Sequence, residues 1–183
     1  MWAFNTPSGT QNGNCHVSRS RDTLACQSAM KPFYFLFKTR PSISLLILRI
    51  VLGAVFLPHG AQKVLGWFGG HGFAGTMAFF TQNMHIPAVL AFLAIAAEFG
   101  GAIALFLGLF TRIAALGIAA NMVVASAIVH WQNGFFMNWS GNQKGEGFEF
   151  HLLALAIAVV LLLRGGGRWS VDAAMAASLR RRD

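Results

Sequence analysis

The sequence has few charged residues and almost no cysteine. Asp, Glu, Lys and Arg make up 11% of its 183 residues, whereas a soluble domain carries about 25%. This shortage, together with 55% hydrophobic residues, excludes a disordered chain and argues against most soluble enzymes. The two cysteines, Cys15 and Cys26, precede the apolar part of the chain, which therefore has no disulfide framework. Dinucleotide fingerprints, phosphate loops and haem-attachment motifs are also missing, so nucleotide chemistry on this chain is not expected.

Long apolar runs dominate what is present. A membrane span needs about 20 apolar residues, and four stretches qualify: 43–63, 86–109, 112–131 and the shorter 148–163. The tight turn between the second and third stretches predicts an antiparallel hairpin. The sequence therefore predicts an all-α membrane protein, a four-transmembrane-helix antiparallel bundle in a lipid bilayer.

The 14 Lys and Arg residues lie at the ends of the apolar runs and predict the orientation of the spans. Lys63 and Lys144 lie on one side, and Arg49 lies inside the first span. The other eleven share the opposite side: Arg19, Arg21, Lys31, Lys38, Arg40, Arg112, Arg164, Arg168, Arg180, Arg181 and Arg182. This asymmetry predicts both termini in the cytoplasm. Membrane orientation therefore explains the positive net charge, and nucleic acid is not expected as a partner.

The chain divides into three predicted parts. Residues 1–40 form a polar cytoplasmic leader, 41–169 the membrane domain and 170–183 a basic cytoplasmic tail that forms a short surface helix. MKPFYFLFKTR, which begins at Met30, resembles the natural start of an inner-membrane protein. Residues 1–29 are therefore interpreted either as a wrongly assigned start or as a disordered leader.

Two charges lie deep in the predicted spans, where an unpaired charge is costly. Arg49 is about 9 Å into the first span and Glu98 about 15 Å into the second, counted from one side of the membrane at 1.5 Å per residue. These depths predict a buried Arg49–Glu98 pair, which either only joins two helices or has a functional role. Asn121, midway along the third span, is expected to hydrogen-bond that pair or a neighbouring helix.

A second polar group is predicted near the outer face, where it could line a pocket. Its members come from three spans: His59, Lys63, His130, Glu149 and His151. Such a set suits a metal or haem site, a proton-accepting quinone site or a polar pocket for another small ligand. The alternative is simple contact with water and lipid headgroups. Because no HxxxH, ExxH or CxxC spacing is present, no metal or haem is expected.

Small residues predict where the helices approach each other. Gly53 and Gly60 do so in the first span, and Gly100, Ala104 and Gly108 form a stripe in the second. These are interpreted as packing positions.

Three segments resemble the DoxX family of bacterial inner-membrane proteins: LRIVLGAVFLPHGAQKVLGWFGG at 48–70, AEFGGAIALFLGLFTRIAAL at 97–116 and GGGRWSVD at 165–172. The resemblance covers about residues 43–175 and implies a four-helix membrane bundle. The positions that match its motifs are Arg49, His59, Gly60, Lys63, Glu98, Gly101 and Arg112. It also implies association with membrane redox systems, including quinone-reducing ones. The membrane domain lacks cysteine, so dithiol or persulfide chemistry would need a partner subunit.

The leading hypothesis is therefore an accessory or quinone-facing component of a membrane redox or redox-stress system that is not catalytic alone. Quinone is the one cofactor considered, and membrane or peripheral redox subunits are the expected partners. The alternatives are a small-molecule or proton-coupled permease and a non-catalytic membrane anchor. The sequence does not identify catalytic residues, a substrate or an oligomeric state.

Overall fold

Each apolar run of the sequence forms a helix, and glycines or a proline mark where these helices begin or end. A computed structural model describes residues 36–180, without the side chain of Arg180. Most of the predicted leader, its two cysteines, the Met30 start, Arg181 and Arg182 lie outside the described residues. Within the described part the secondary structure is entirely helical.

From Ile43 onwards, six α-helices follow one another in the described part of the chain. They are α1 (Ile43–Leu65), α2 (Gly72–Ala78), α3 (Ala88–Leu107), α4 (Thr111–Ala125), α5 (Glu149–Arg164) and α6 (Val171–Arg180). A π turn over Phe79–Asn83 prolongs α2, and a π turn over Ser126–His130 followed by a 3-10 turn over Trp131–Asn133 prolongs α4. The sequence predicted a glycine-rich connection where α2 lies.

Three of the described helices are long and apolar enough to cross a membrane: Ile43–Leu65, Ala88–Leu107 and Thr111–Asn133. They correspond to the first three predicted spans and make this a membrane protein. Helix α5 has 16 residues, or about 24 Å of helix, which is less than the hydrocarbon thickness of about 30 Å.

The four long helices are neighbours in the order α1, α3, α4, α5, and α5 also contacts α1. Between them lies a buried apolar core that includes Leu52, Phe56, Leu105, Ile118 and Leu161. Large apolar side chains on the outer faces, such as Val89 and Leu93 of α3, are exposed. Apolar side chains therefore lie both inside the bundle and on its outer surface, as expected for helices surrounded by lipid rather than water.

Glycines set the register between α1 and α3. A Cβ atom added at Gly60 would lie 2.6 Å from Cα of Phe99, and one added at Gly53 would lie 3.2 Å from the carbonyl oxygen of Ala102. The two backbones therefore approach closely at both positions, as the sequence predicted. This register decides which charged side chains meet.

Candidate functional site

A cavity of about 490 Å³ opens among α1, α3, α4 and α5 near the end of α1 that carries Lys63. Its walls are mainly apolar, and its polar groups come from all four helices and from the connection before α5. We call it the histidine cavity. The polar residues that line it are His59, Lys63, Glu98, Asn121, His130, Glu146 and His151.

An ion pair between α1 and α3 forms part of the cavity wall. Nζ of Lys63 donates to Oε1 of Glu98 at 2.7 Å. The Lys63 side chain is 27% exposed and the Glu98 side chain 10%. Lys63 follows Gly60 by one helical turn and Glu98 precedes Phe99, so the close contact of Gly60 with Phe99 brings the two charges together.

The expected Arg49–Glu98 pair is not formed. Arg49 adjoins Gly108, because a Cβ added at Gly108 would collide with Nη1 of Arg49. Gly108 lies ten residues beyond Glu98, or about 15 Å along the helix. Depths counted from predicted helix ends do not give the register between α1 and α3, because the close contacts of Gly53 and Gly60 set it.

Two histidines face each other where α4 ends and α5 begins. The ring centroids of His130 and His151 are 4.1 Å apart. Backbone hydrogen bonds from the amide of Phe148 to the carbonyl of Gly134 (3.2 Å) and from the amide of Glu149 to the carbonyl of Phe135 (3.0 Å) hold these two helix ends together. The π turn at Ser126–His130 shifts the helical phase just before His130.

Both histidines have informative hydrogen-bond positions. Nδ1 of His130 is 2.8 Å from the backbone carbonyl oxygen of Glu146. Nδ1 of His151 is buried and has no hydrogen-bond partner among the described residues. His59, the third histidine of the cavity, lies beside Phe56 with 6.5 Å between ring centroids.

Glu149 is the one residue of the predicted outer set that is absent from the cavity lining. Its Oε1 accepts a hydrogen bond from the backbone amide of Met137 at 2.8 Å, so it orders the preceding connection. Glu146 lies in the lining instead, and its Oε2 accepts from the amide of Asn138 at 2.7 Å. Sequence reasoning missed Glu146 because it lies in a polar, glycine-rich connection, where a carboxylate gives no signal.

Asn121 joins two helices and also lines the cavity. Its Nδ2 donates to the backbone carbonyl of Ala94 at 2.8 Å. The sequence predicts that Asn121 bonds either to the buried charge pair or to a neighbouring helix, and in the structure it bonds to the neighbouring helix α3.

The described residues contain no group of three His, Cys, Asp or Glu side chains that could hold a metal ion. The cavity instead offers hydrogen-bonding groups on an apolar wall, an arrangement that suits a small organic ligand.

A second polar group lies at the opposite end of α1. We call it the Arg49 cluster; it consists of Arg49, Gly108, Thr111, Trp169, Ser170 and Asp172. Nη2 of Arg49 donates to the carbonyl oxygen of Trp169 at 3.2 Å. The buried carboxylate of Asp172 accepts from the amides of Phe110 (2.8 Å) and Thr111 (2.9 Å).

Asp172 thereby caps the start of α4, because its oxygens bind amides that have no partner inside the helix. Sequence reasoning placed it in a surface tail and missed this role. The nearby glycines at 165–167 could have indicated this capping role, because a glycine-rich segment lets the chain fold back and bring Asp172 onto the bundle.

Arg112 ties the same end of the bundle together. Its Nη2 donates to the carbonyl of Lys38 at 3.0 Å, and its Nη1 donates to the carbonyl of Leu162.

A layer of buried apolar side chains separates the histidine cavity from the Arg49 cluster. Leu52, Phe56, Leu105 and Ile118 are each at most 2% exposed. The cavity is therefore closed towards the Arg49 cluster in this conformation.

Comparison with known proteins identifies relatives of this sequence. The DoxX family model matches residues 44–131, which include Arg49, Lys63 and Glu98. "Putative oxidoreductase CatD" of Bacillus subtilis (strain 168) is 29% identical over 130 residues, which is 71% of this chain and 85% of that protein. "Inner membrane protein YqjF" of Escherichia coli (strain K12) is 26% identical over 135 residues, 74% of this chain and 94% of that protein. The search of solved structures found no match. Over residues 44–131, this chain is therefore similar to the DoxX family.

Proposed function

We propose that the protein is an accessory, quinone-facing component of a membrane redox system in the bacterial inner membrane. The histidine cavity would hold the ligand, and other membrane or peripheral subunits would exchange electrons with it. The names of the two relatives, an oxidoreductase and an inner membrane protein, support this combination.

In this proposal α5 is the fourth span and both termini are cytoplasmic. Helix α5 contacts α4 and α1, and Phe148 extends its apolar run outward. The excess of Lys and Arg beside the Arg49 cluster favours that end as the cytoplasmic one. The histidine cavity would then open towards the outer face.

The observation that carries the proposal is the composition of the cavity wall. A volume of about 490 Å³ lies within the range of small-molecule sites and accommodates a single aromatic ring with a short tail. A buried histidine nitrogen without a partner among the described residues gives such a ring a polar group to bind. A lipid-soluble quinone combines an apolar ring with two oxygens, so its chemistry fits this wall.

When bound, a quinone supplies reversible two-electron chemistry. The residues of this chain would orient it: the apolar side chains of α4 hold the ring, while His130, His151 and the Lys63–Glu98 pair face its oxygens. The membrane domain has no cysteine, so the chain contributes binding and proton contacts rather than thiol chemistry.

The permease alternative requires a path from one end of the bundle to the other. The apolar layer at Leu52 and Phe56 closes that path in this conformation, so a permease would need a second conformation that opens it, whereas a binding site needs none. A non-catalytic membrane anchor does not require a ligand cavity, so the presence of the cavity favours a binding function over an anchor.

The test is quinone binding to the full chain in lipid nanodiscs. A short-chain quinone should bind saturably at one site. Ala125→Phe, which fills the cavity wall, should weaken binding at least tenfold. Ala127→Phe, exposed on the same helix and outside the lining, is the matched control and should bind normally.

Absence of saturable binding to the unaltered protein would overturn the proposal. Flux of a small solute across sealed vesicles without any redox partner would favour the permease instead.

A further inference from the structure

The hydrogen bond of His130 determines which of its ring nitrogens carries the proton. A backbone carbonyl oxygen only accepts hydrogen bonds, so the contact of Nδ1 with the carbonyl of Glu146 at 2.8 Å requires a proton on Nδ1. In the neutral ring Nε2 is then an acceptor. Nε2 has no hydrogen bond within the described chain, and the ring lines the histidine cavity.

His151 offers a second unsatisfied group in the same place. The residue is 8% exposed, and its Nδ1 has no partner among the described residues. Leaving such a nitrogen unsatisfied is costly. Its ring lies 4.1 Å from that of His130, so one ligand group can reach both histidines.

The other titratable side chains of the lining are less available. Oε1 of Glu98 accepts from Lys63, and Oε2 of Glu146 accepts from the amide of Asn138. His59 lies against Phe56 on the α1 wall. Within the described lining, the His130–His151 pair therefore places open hydrogen-bonding positions of two adjacent rings side by side.

These positions favour a hydroxyl over a carbonyl oxygen. Nε2 of His130 needs a donor, which a hydroxyl supplies and a carbonyl does not. Nδ1 of His151 is a donor in one tautomer and an acceptor in the other, and a hydroxyl, which both donates and accepts, satisfies either.

We propose that the histidine cavity selectively binds the hydroxyl form of its aromatic ligand, a lipid-soluble hydroquinone whose O–H donates to Nε2 of His130 beside Nδ1 of His151. This inference rests on the proposed function and assigns the reduced ligand and its recognition group. No electron transfer is part of it: the step is reversible formation of a hydrogen bond.

The experiment compares two ligands that differ only in the methylation of their hydroxyl groups. A short-chain hydroquinone and its dimethyl ether are titrated anaerobically, by calorimetry, against the full chain in detergent. The unaltered protein should bind the hydroquinone about tenfold more tightly, the ratio that one hydrogen bond of ordinary strength gives.

His130→Asn tests the assigned nitrogen. The amide nitrogen of Asn lies close to the position of Nδ1 and can still donate to the carbonyl of Glu146, but no atom replaces Nε2. The hydroquinone should lose its about tenfold advantage, while the affinity for the ether is retained. His85→Asn is the control, because His85 is exposed, lies outside the lining and has φ of 54°, a conformation that Asn tolerates. It should keep the full ratio.

The outcomes separate the two proposals. If neither ligand binds the unaltered protein and the short-chain quinone does not bind either, the proposed function itself is wrong; if the quinone alone binds, only this inference is wrong. If both bind equally well, the cavity is a ligand site without hydroxyl selectivity and this inference is wrong. A ratio that survives in His130→Asn overturns the role of His130, and the comparison of ligands on the unaltered protein remains decisive even if that variant fails to fold.

Discussion

At the scale of single residues, the outcome for the charged side chains shows what sequence can and cannot predict. A charge in an apolar span needs a partner, so Arg49, Lys63 and Glu98 could be recognised as exceptional from the sequence. Which two of them meet depends on the register between α1 and α3, and the close approach of Gly60 to Phe99 sets it. An error of one or two helical turns in the assumed depth was enough to assign the wrong cation to Glu98.

The Lys63–Glu98 pair should be visible as energetic coupling. Glu98→Gln leaves an ammonium without its partner, and Lys63→Met leaves a carboxylate in an apolar wall, so both should lower the free energy of unfolding in detergent. The double variant should be less destabilised than the sum of the two, by about 0.5–3 kcal/mol, as for residues in direct contact. Reversible unfolding of the four proteins measures this coupling energy.

The matched control for that cycle is Arg49→Gln with Glu98→Gln. Residues more than about 7–10 Å apart without shared partners usually give additive effects, within about 0.5 kcal/mol. Additivity in the Lys63 cycle, or strong coupling in the Arg49 cycle, would contradict the register described above.

At the scale of helices and turns, two glycines of one predicted stripe prove to have different roles. Their spacing in the sequence predicts that Gly100 and Gly108 are both packing positions in the second span. A Cβ added at Gly100 would meet nothing within 4 Å. Gly108 ends α3 with φ of 65° and adjoins the guanidinium of Arg49. Spacing alone does not distinguish these cases, because the neighbours come from distant parts of the chain.

Gly108→Ala should therefore be far more harmful than Gly100→Ala. The first substitution forces an alanine into a left-handed conformation, at about 1–2 kcal/mol, and also displaces Arg49. The second replaces glycine by a better helix former and should be neutral or stabilising by up to about 1 kcal/mol. Thermal unfolding in the same detergent compares them, and equal effects would contradict the arrangement of the Arg49 cluster.

The elements around the histidine cavity were only partly accessible to sequence reasoning. Polar and ionisable residues are rare in apolar spans, so His59, Lys63, His130 and His151 could be singled out from the sequence. The π turn before His130, the folded connection that carries Glu146 and the helix α2 give no periodic signal. They result from tertiary contacts, which periodicity does not encode.

At the scale of the whole molecule, the two polar groups lie at opposite ends of a bundle with an apolar middle. In a soluble protein, polar groups are distributed over the surface; here the outer faces of α3 and α4 are apolar along their length, so polar chemistry is confined to the ends. The Arg49 cluster joins α1, the turn before α4 and the start of α6, and it anchors that end of the molecule. The opposite end carries the cavity. Such a division presents different groups to the two sides of a membrane, so the proposed function depends on the orientation.

Orientation can be measured with single cysteines. Because Cys15 and Cys26 are the chain's two cysteines, replacing both by serine gives a background without thiols. Ser140→Cys lies in the connection between α4 and α5, and Ser178→Cys lies on α6; both positions are exposed. With α5 as a fourth span, a membrane-impermeant maleimide should label Ser140→Cys in intact cells and label Ser178→Cys only after the membrane is opened. Gln82→Cys, exposed between α2 and α3, should behave like Ser140→Cys because an even number of spans separates them.

Labelling of Ser178→Cys in intact cells, together with Ser140→Cys, would place both ends of α5 on the outer side. The molecule would then cross the membrane three times, and the Arg49 cluster could not be the cytoplasmic end of a four-span bundle.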